Sequence, residues 1–401
     1  MLDLSEFFKE LLHKYTSPIL GDYFNTALLI IFGLIFAVFF YFVPKSKKKF
    51  AAVLASVIFI LISSPLLNFA VYLLIIAVLF LCSNYDFPLR KIIFWGTEAF
   101  LIVSTVVVFK IFNTFSAFFS FAAYYTAYRT IHYYVDSNQN PDVKSNFFNY
   151  LFYIFFFPSF SHGPIERIEN VNFEELKKEH IIFGMKKIFI GIAKFLAVIY
   201  FFSKINPIDF SFAEWYKWIL LTAYLGAIKL YLLFSGDIDI VLGIASLLGI
   251  RLSENFPKFP YIQTSLTKFW QNWQATIVNF LTAYVYFPLC RNRKRIYLKT
   301  MIIIMIIGWA HLFYNTKDFP SLANIIYYTL WGIFLGGAFA LSKYLERKKA
   351  DSKKMIEEKY PALSNIIYSN NIFVKLFNIW ITFTIIAVGW LSPLYLILTH
   401  L

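Results

Sequence analysis

Three stretches of this chain set polar or ionisable groups inside runs that are otherwise apolar. Such groups are costly in a membrane unless satisfied, so each is a functional hypothesis by default. The first stretch, Tyr231 to Phe256, carries Ser235, Gly236, Asp237, Asp239, Glu254 and Asn255. Residues two apart turn to different faces of a helix, so Asp237 and Asp239 do not read as a shared acid pair. Asp237 is open to two readings: a cap for the helix that follows, or a group with a task in the membrane. The second stretch is Phe269-Trp270-Gln271-Asn272-Trp273-Gln274, in which Trp270 and Gln274 are i,i+4 neighbours. An interfacial aromatic belt is the plainer explanation there, and a binding cluster the sharper one. The third stretch, Ile307-Gly308-Trp309-Ala310-His311-Leu312, puts a histidine among Ile and Met. Counted from Lys299 at ~1.5 Å per residue, His311 lies about 18 Å deep, past the bilayer midplane. It reads either as a structural imidazole bonded to a carbonyl or as a group that acts. The other histidines are weaker candidates. His13 and His400 lie near the ends, His180 is in a charged loop, His132 is in an aromatic helix, and His162 is in a turn marked by Gly163-Pro164.

The elements that must position these groups follow from composition. Of 401 residues, 59% are hydrophobic and only 15% charged, against roughly 25% charged in a soluble chain. An ordinary cytosolic enzyme, a disordered tail and a nucleic-acid reader are thereby excluded, and an integral membrane protein is implied. A crossing needs roughly 20 mostly apolar residues. Candidate runs fall at 25–43, 50–65, 67–83, 92–110, 112–134, 146–161, 184–203, 216–234, 237–250, 275–289, 300–314, 322–342 and 373–398. Those at 146–161, 237–250 and 275–289 are short for an untilted crossing and read as re-entrant or half-membrane helices, tolerated where protein covers the backbone. The expectation is an all-α polytopic membrane protein with ten or eleven transmembrane helices, 1–401 forming a single transmembrane domain. Residues 1–20, amphipathic and without a cleavable signal pattern, read as an interfacial helix. No internal repeat is visible, so the inverted-repeat signature of secondary transporters lacks support. Cys82 and Cys290 form no ligand spacing, and neither a metal site nor a disulfide framework is expected.

The net charge of +14 has a topological reading, because Lys and Arg collect in cytoplasmic loops. The basic loops 45–49, 291–299 and 346–354 are the densest clusters and are expected to be cytoplasmic, which puts the N-terminus outside.

Taken in order, the three stretches resemble the membrane-bound O-acyltransferase family, in its bacterial branch of alginate O-acetylation and D-alanyl transfer proteins. The resemblance covers most of 24–342 and is strongest over 231–294. It rests on Tyr231 to Phe256, Pro260-Tyr261, Phe269 to Gln274, Tyr286-Phe287-Pro288-Leu289-Cys290-Arg291-Asn292-Arg293 and Gly308-Trp309-Ala310-His311. Upstream, Phe156-Phe157-Pro158 leading to Gly163-Pro164-Ile165 looks like the family's F-P-x-x-x-x-G-P-I. Several positions depart from the family pattern: Gln274 stands where a first histidine is usual, Leu312 follows His311 in place of glycine, Leu335 replaces a later histidine, and Cys290 and Arg291 replace a glycine pair.

The resemblance implies a helical bundle around a central tunnel, with 231–342 as the motif-bearing catalytic core in a multi-pass plasma-membrane protein. It implies acyl transfer from a thioester donor, acetyl-coenzyme A or an acyl carrier protein, to a hydroxyl, with no resident cofactor. A neutral imidazole can take the alcohol's proton as attack begins. His311 is then the base, and Gln274 orients the base or the acyl carbonyl. Trp270, Trp273, Asp237 and Asn255 are substrate-binding or tunnel candidates, and Arg291 and Arg293 could meet donor phosphates or an acidic carrier. Acetyl transfer to an exported polysaccharide, through an extracytoplasmic acetyltransferase partner, is favoured. D-alanyl transfer to teichoic acid from a cytoplasmic carrier protein is the alternative, and a non-enzymatic transporter or degenerate scaffold is the second alternative. Membrane lipids are expected around the chain and nucleic acid is not expected as a partner.

Overall fold

A computed structural model describes residues 23–63, 66–112, 117–202, 215–292, 294–315, 322–359 and 372–399. The protein is all-α, with no strand among the described residues. That suits its apolar runs, since a helix satisfies its backbone groups within its own segment. The interfacial helix expected over 1–20 lies outside the described residues. The chain divides into two compact units, one built on Met1–Lys204 with Tyr231–Glu254, the other on Ile205–Leu230 with Asn255–His400. The motif-bearing stretch 231–342 is thus shared between them.

The first unit holds α1 (Tyr23–Tyr41), α2 (Lys48–Ser63), α3 (Leu66–Asn84), α4 (Arg90–Phe112), α5 (Ala117–Gln139), α6 (Phe147–Phe155) and α7 (Lys178–Ala197), together with the second half of α8 (Trp215–Leu247). Its core is aromatic. Phe157 is met edge-on by Phe32 and Phe36 and lies beside Phe59, and edge-to-face rings gain from their quadrupoles beyond area burial. The run 146–161 is indeed short as a helix. Asn146 caps α6 by accepting the Asn149 N–H, and α6 gives way after nine residues to a single 3-10 turn, Phe157–Ser159. Both pieces are largely buried in protein, which is the condition for non-spanning backbone at membrane depth.

Two runs expected to be separate, 216–234 and 237–250, form one uninterrupted helix of 33 residues. Gly236 lies within it, at a close approach to α7. A Cβ on Gly191 would fall 2.7 Å from the Gly236 carbonyl oxygen, and one on Gly184 2.8 Å from that of Gly243. The glycines recur every seven residues on both helices, which lets two backbones meet along a seam.

The second unit holds the first half of α8, then α9 (Leu266–Trp270), α10 (Ala275–Leu281), α11 (Phe287–Cys290), α12 (Ile296–Asn315), α13 (Leu322–Lys359) and α14 (Ile372–Thr399). The run 275–289 is broken into α10, a π turn over Thr282–Tyr286 and α11. Helices α12 and α13 pack closely where Gly332 and Gly336 abut Met305 and Met301. The basic stretch 346–354, expected as a loop, continues α13 as exposed helix. Two described segments are long and apolar enough to cross a membrane, Ala223–Leu247 and Ile372–Trp390, with mean hydropathies of 1.7 and 1.9. Shorter apolar helices include Thr26–Tyr41, Phe69–Asn84 and Ile296–Gly308.

Candidate active site

Gln274 departs from the expected helical register. Helix α9, capped by Ser265 through the Lys268 N–H, ends at Trp270, and Gln274 adopts a left-handed conformation (φ 47°, ψ 50°) at the start of α10. Trp270 and Gln274 are therefore not i,i+4 neighbours on one helix. A non-glycine residue in this region costs about 1–2 kcal/mol, and such strain persists only where neighbours enforce it. Asn255 does the enforcing. Its Nδ2 donates to Gln274 Oε1 at 2.8 Å, its carbonyl accepts the Ala275 N–H at 2.9 Å, and its Oδ1 accepts the Thr276 hydroxyl at 2.5 Å. With Oε1 so engaged, the two Nε2 hydrogens of Gln274 are held in one direction and have no partner among the described residues.

Beside this knot Trp273 is buried among rings, stacked on Phe269 and met edge-on by Phe256 and Trp390. It packs; Trp270 is half-buried and sits edge-on to Phe269. The buried Trp390 indole N–H has no partner among the described residues. Sequence reasoning missed this group, because nothing in the spacing of 373–398 links it to 273.

His311 lies on α12, exposed on its helix, with its ring 5.7 Å from that of Trp331. Its Nδ1 is 2.7 Å from the Ile307 carbonyl oxygen. A carbonyl only accepts, so Nδ1 carries the hydrogen, and Nε2 is left with its lone pair outward in the neutral ring. Trp331 is fixed in turn by donating its indole N–H to the Gly389 carbonyl. No hydrogen bond or ring contact joins His311 to Gln274.

The two aspartates of α8 face different partners, as their spacing requires, and neither caps a helix start. Asp239 is buried and takes Lys187 Nζ on Oδ1 at 2.8 Å and Lys194 Nζ on Oδ2 at 2.5 Å, while Lys187 also reaches Glu254 at 2.8 Å. The lysines are seven apart on α7, interleaved with Gly184 and Gly191, so the glycine seam and the ion cluster form one interface. Asp237 instead accepts the Thr26 hydroxyl at 3.0 Å. It lines a small cavity with Thr26, Leu29, Phe59, Phe157, Ser161, His162 and Val241. His162, read from sequence as a turn residue, is both: its turn is held by Gly163 at φ 121°, and its Nδ1 pairs with the Ser161 hydroxyl at 2.8 Å.

Arg291 is exposed, and Arg293 lies outside the described residues. Lys299 is committed to the chain itself, donating to the Leu289 and Asn292 carbonyls at 2.8 and 3.0 Å. Among the described residues no group of three or more His, Cys, Asp or Glu is placed to hold a metal ion.

No family model matches the chain. It is similar to the peptidoglycan O-acetyltransferase of Helicobacter pylori, 29% identical over 41% of this chain and 33% of that relative. It is also similar to the probable alginate O-acetylase AlgI of Pseudomonas putida, 26% identical over 50% of this chain and 40% of the relative. The teichoic acid D-alanyltransferase of Streptococcus thermophilus aligns over 96% of both chains at 23% identity. The chain thus matches two fifths or less of the length of the first two relatives. All three relatives are membrane-bound O-acyltransferases, the family that the motifs resemble.

Proposed function

We propose, from this relatedness to the membrane-bound O-acyltransferases, that the protein is a multi-pass plasma-membrane acyltransferase. It moves an acyl group, acetyl favoured, from a thioester donor to a hydroxyl on an exported polysaccharide or its partner protein. His311 is the general base. The observation that carries this assignment is the Nδ1 hydrogen bond to Ile307, which fixes the tautomer that presents a basic Nε2. Attack of the alcohol oxygen on the thioester carbonyl forms the new ester bond as its proton passes to Nε2. The C–S bond then breaks and the thiol leaves with that proton. The tetrahedral oxyanion needs preorganised donors, and the Gln274 amide, held by Asn255, is aimed rather than free. Arg291 and Arg293 are proposed to meet the donor's phosphates from the cytoplasmic side.

D-alanyl transfer to teichoic acid is the second reading, favoured by the end-to-end alignment with the Streptococcus thermophilus relative. Purified protein offered acetyl-coenzyme A or a carrier protein loaded with D-alanine separates the two by which thioester it consumes. Consumption of neither, in protein that remains monodisperse, would leave a transporter or a degenerate scaffold.

A further inference from the structure

Asp237 and Asp239 sit two residues apart on one helix and are treated oppositely. Asp239 has two lysines. Asp237 has a threonine hydroxyl on Oδ1, and its Oδ2 accepts no hydrogen bond from a described residue. A carboxylate left without a counter-charge in an apolar surround is costly, yet this one opens on a cavity of about 10 Å³, room for one water-sized group such as an ammonium head. Polar groups converge there from two further elements. They are Thr26 of α1 and the Ser161–His162 pair of the turn after α6. The ring of Phe157 supplies an aromatic wall.

We propose that this cavity binds the primary ammonium group of a substrate. Asp237 Oδ2 accepts one N–H and neutralises the charge, and the hydroxyl oxygens of Thr26 and Ser161 accept the others. A divalent metal fits less well, because a hard cation asks for six or more oxygens and commonly several carboxylates, and one carboxylate faces the cavity. Two sources share the ammonium chemistry: an aminoacyl group carried by the donor, and an amino sugar in the acceptor glycan. Only this identification of the source rests on the acyl-transfer reading.

The test is calorimetric titration of the full-length protein in detergent with D-alanine methyl ester, with its N-acetylated form, and with glucosamine. At least one amine is expected to bind, D-alanine methyl ester about tenfold or more tighter than its uncharged counterpart if the source is aminoacyl. Asp237→Asn is expected to weaken the amine by about tenfold or more, the scale of a lost hydrogen bond to a charged group. Ser161→Ala, a milder change, is expected to weaken it by a few-fold. Binding of the ester alone assigns an aminoacyl donor, binding of glucosamine alone an amino sugar, and binding of both a site that reads the ammonium itself. Binding of neither amine, or binding that Asp237→Asn and Ser161→Ala leave unchanged, overturns the proposal. Thioester turnover without amine binding counts against this cavity alone, and amine binding without turnover counts against acyl transfer alone.

Discussion

The ion cluster around Asp239 and the polar knot around Gln274 are both buried hydrogen-bonded groups, but they differ in how completely they are satisfied. Both oxygens of Asp239 are taken by lysines, one of which also holds Glu254. Such a network joins two helices and has nothing left to offer a substrate. Asn255 engages one end of Gln274 and leaves the amide hydrogens of the other; His311 spends Nδ1 on its own helix and keeps Nε2. Complete satisfaction marks structure, and half-satisfaction held in a fixed direction marks a group available for chemistry.

The contrast can be broken most directly by exchanging the expected phenotypes. His311→Gln should abolish acyl transfer, a loss of about 10²–10⁴-fold for a general base, with the elution profile in detergent unchanged. Asp239→Ala should do the opposite to first order. Removing one partner of a buried ion cluster costs about 3–5 kcal/mol, read as a lowered melting midpoint. If Asp239→Ala melts normally and His311→Gln unfolds, the division between the two kinds of network is wrong.

Gln274 sharpens the comparison, because one position carries both strain and donor. Gln274→Ala should slow transfer by about tenfold or more if the amide stabilises charge in the transition state, and Gln274→Asn or Gln274→His should keep part of the rate. Gln274→Gly isolates the backbone contribution: like Gln274→Ala it loses the side chain and leaves Asn255 Nδ2 without its acceptor, but it relieves the left-handed backbone, so the rate should fall as in the alanine variant while stability exceeds that variant's by about 1 kcal/mol. Unchanged kinetics across the series would make Gln274 purely structural. The smallest expected effect is at Arg291, exposed and screened by solvent. Arg291→Ala should raise the donor KM a few-fold and leave kcat alone, and no change in KM would reduce Arg291 to a topology signal.

Much of the helical architecture is legible in hydropathy alone, because a long apolar run satisfies its backbone groups within its own segment as a helix. Where reading the runs failed, a local signal was outvoted by packing. Ser235, Gly236 and Asp237 look like a helix break, yet α8 passes through them: Gly236 packs against Gly191 and Phe195 of α7, and Asp237 finds Thr26. The periodicity of Gly184, Lys187, Gly191 and Lys194 against Gly236, Asp239 and Gly243 is present in the sequence, but it becomes a signal only once α7 and α8 are known to be neighbours. The Asn255–Gln274 bond was not legible at all. Spacing treats 270–274 as continuous helix, and nothing in a glutamine announces a positive φ. His311 was legible as an anomaly, and its tautomer needed the Ile307 carbonyl.

The most direct test of the proposed chemistry is time-dependent loss of donor thioester, from acetyl-coenzyme A and from carrier-bound D-alanine, measured for the wild-type chain and for His311→Ala matched for folded fraction. Wild-type consumption of one donor and none by His311→Ala is the expected result. Equal consumption by the two proteins would remove His311 from the reaction.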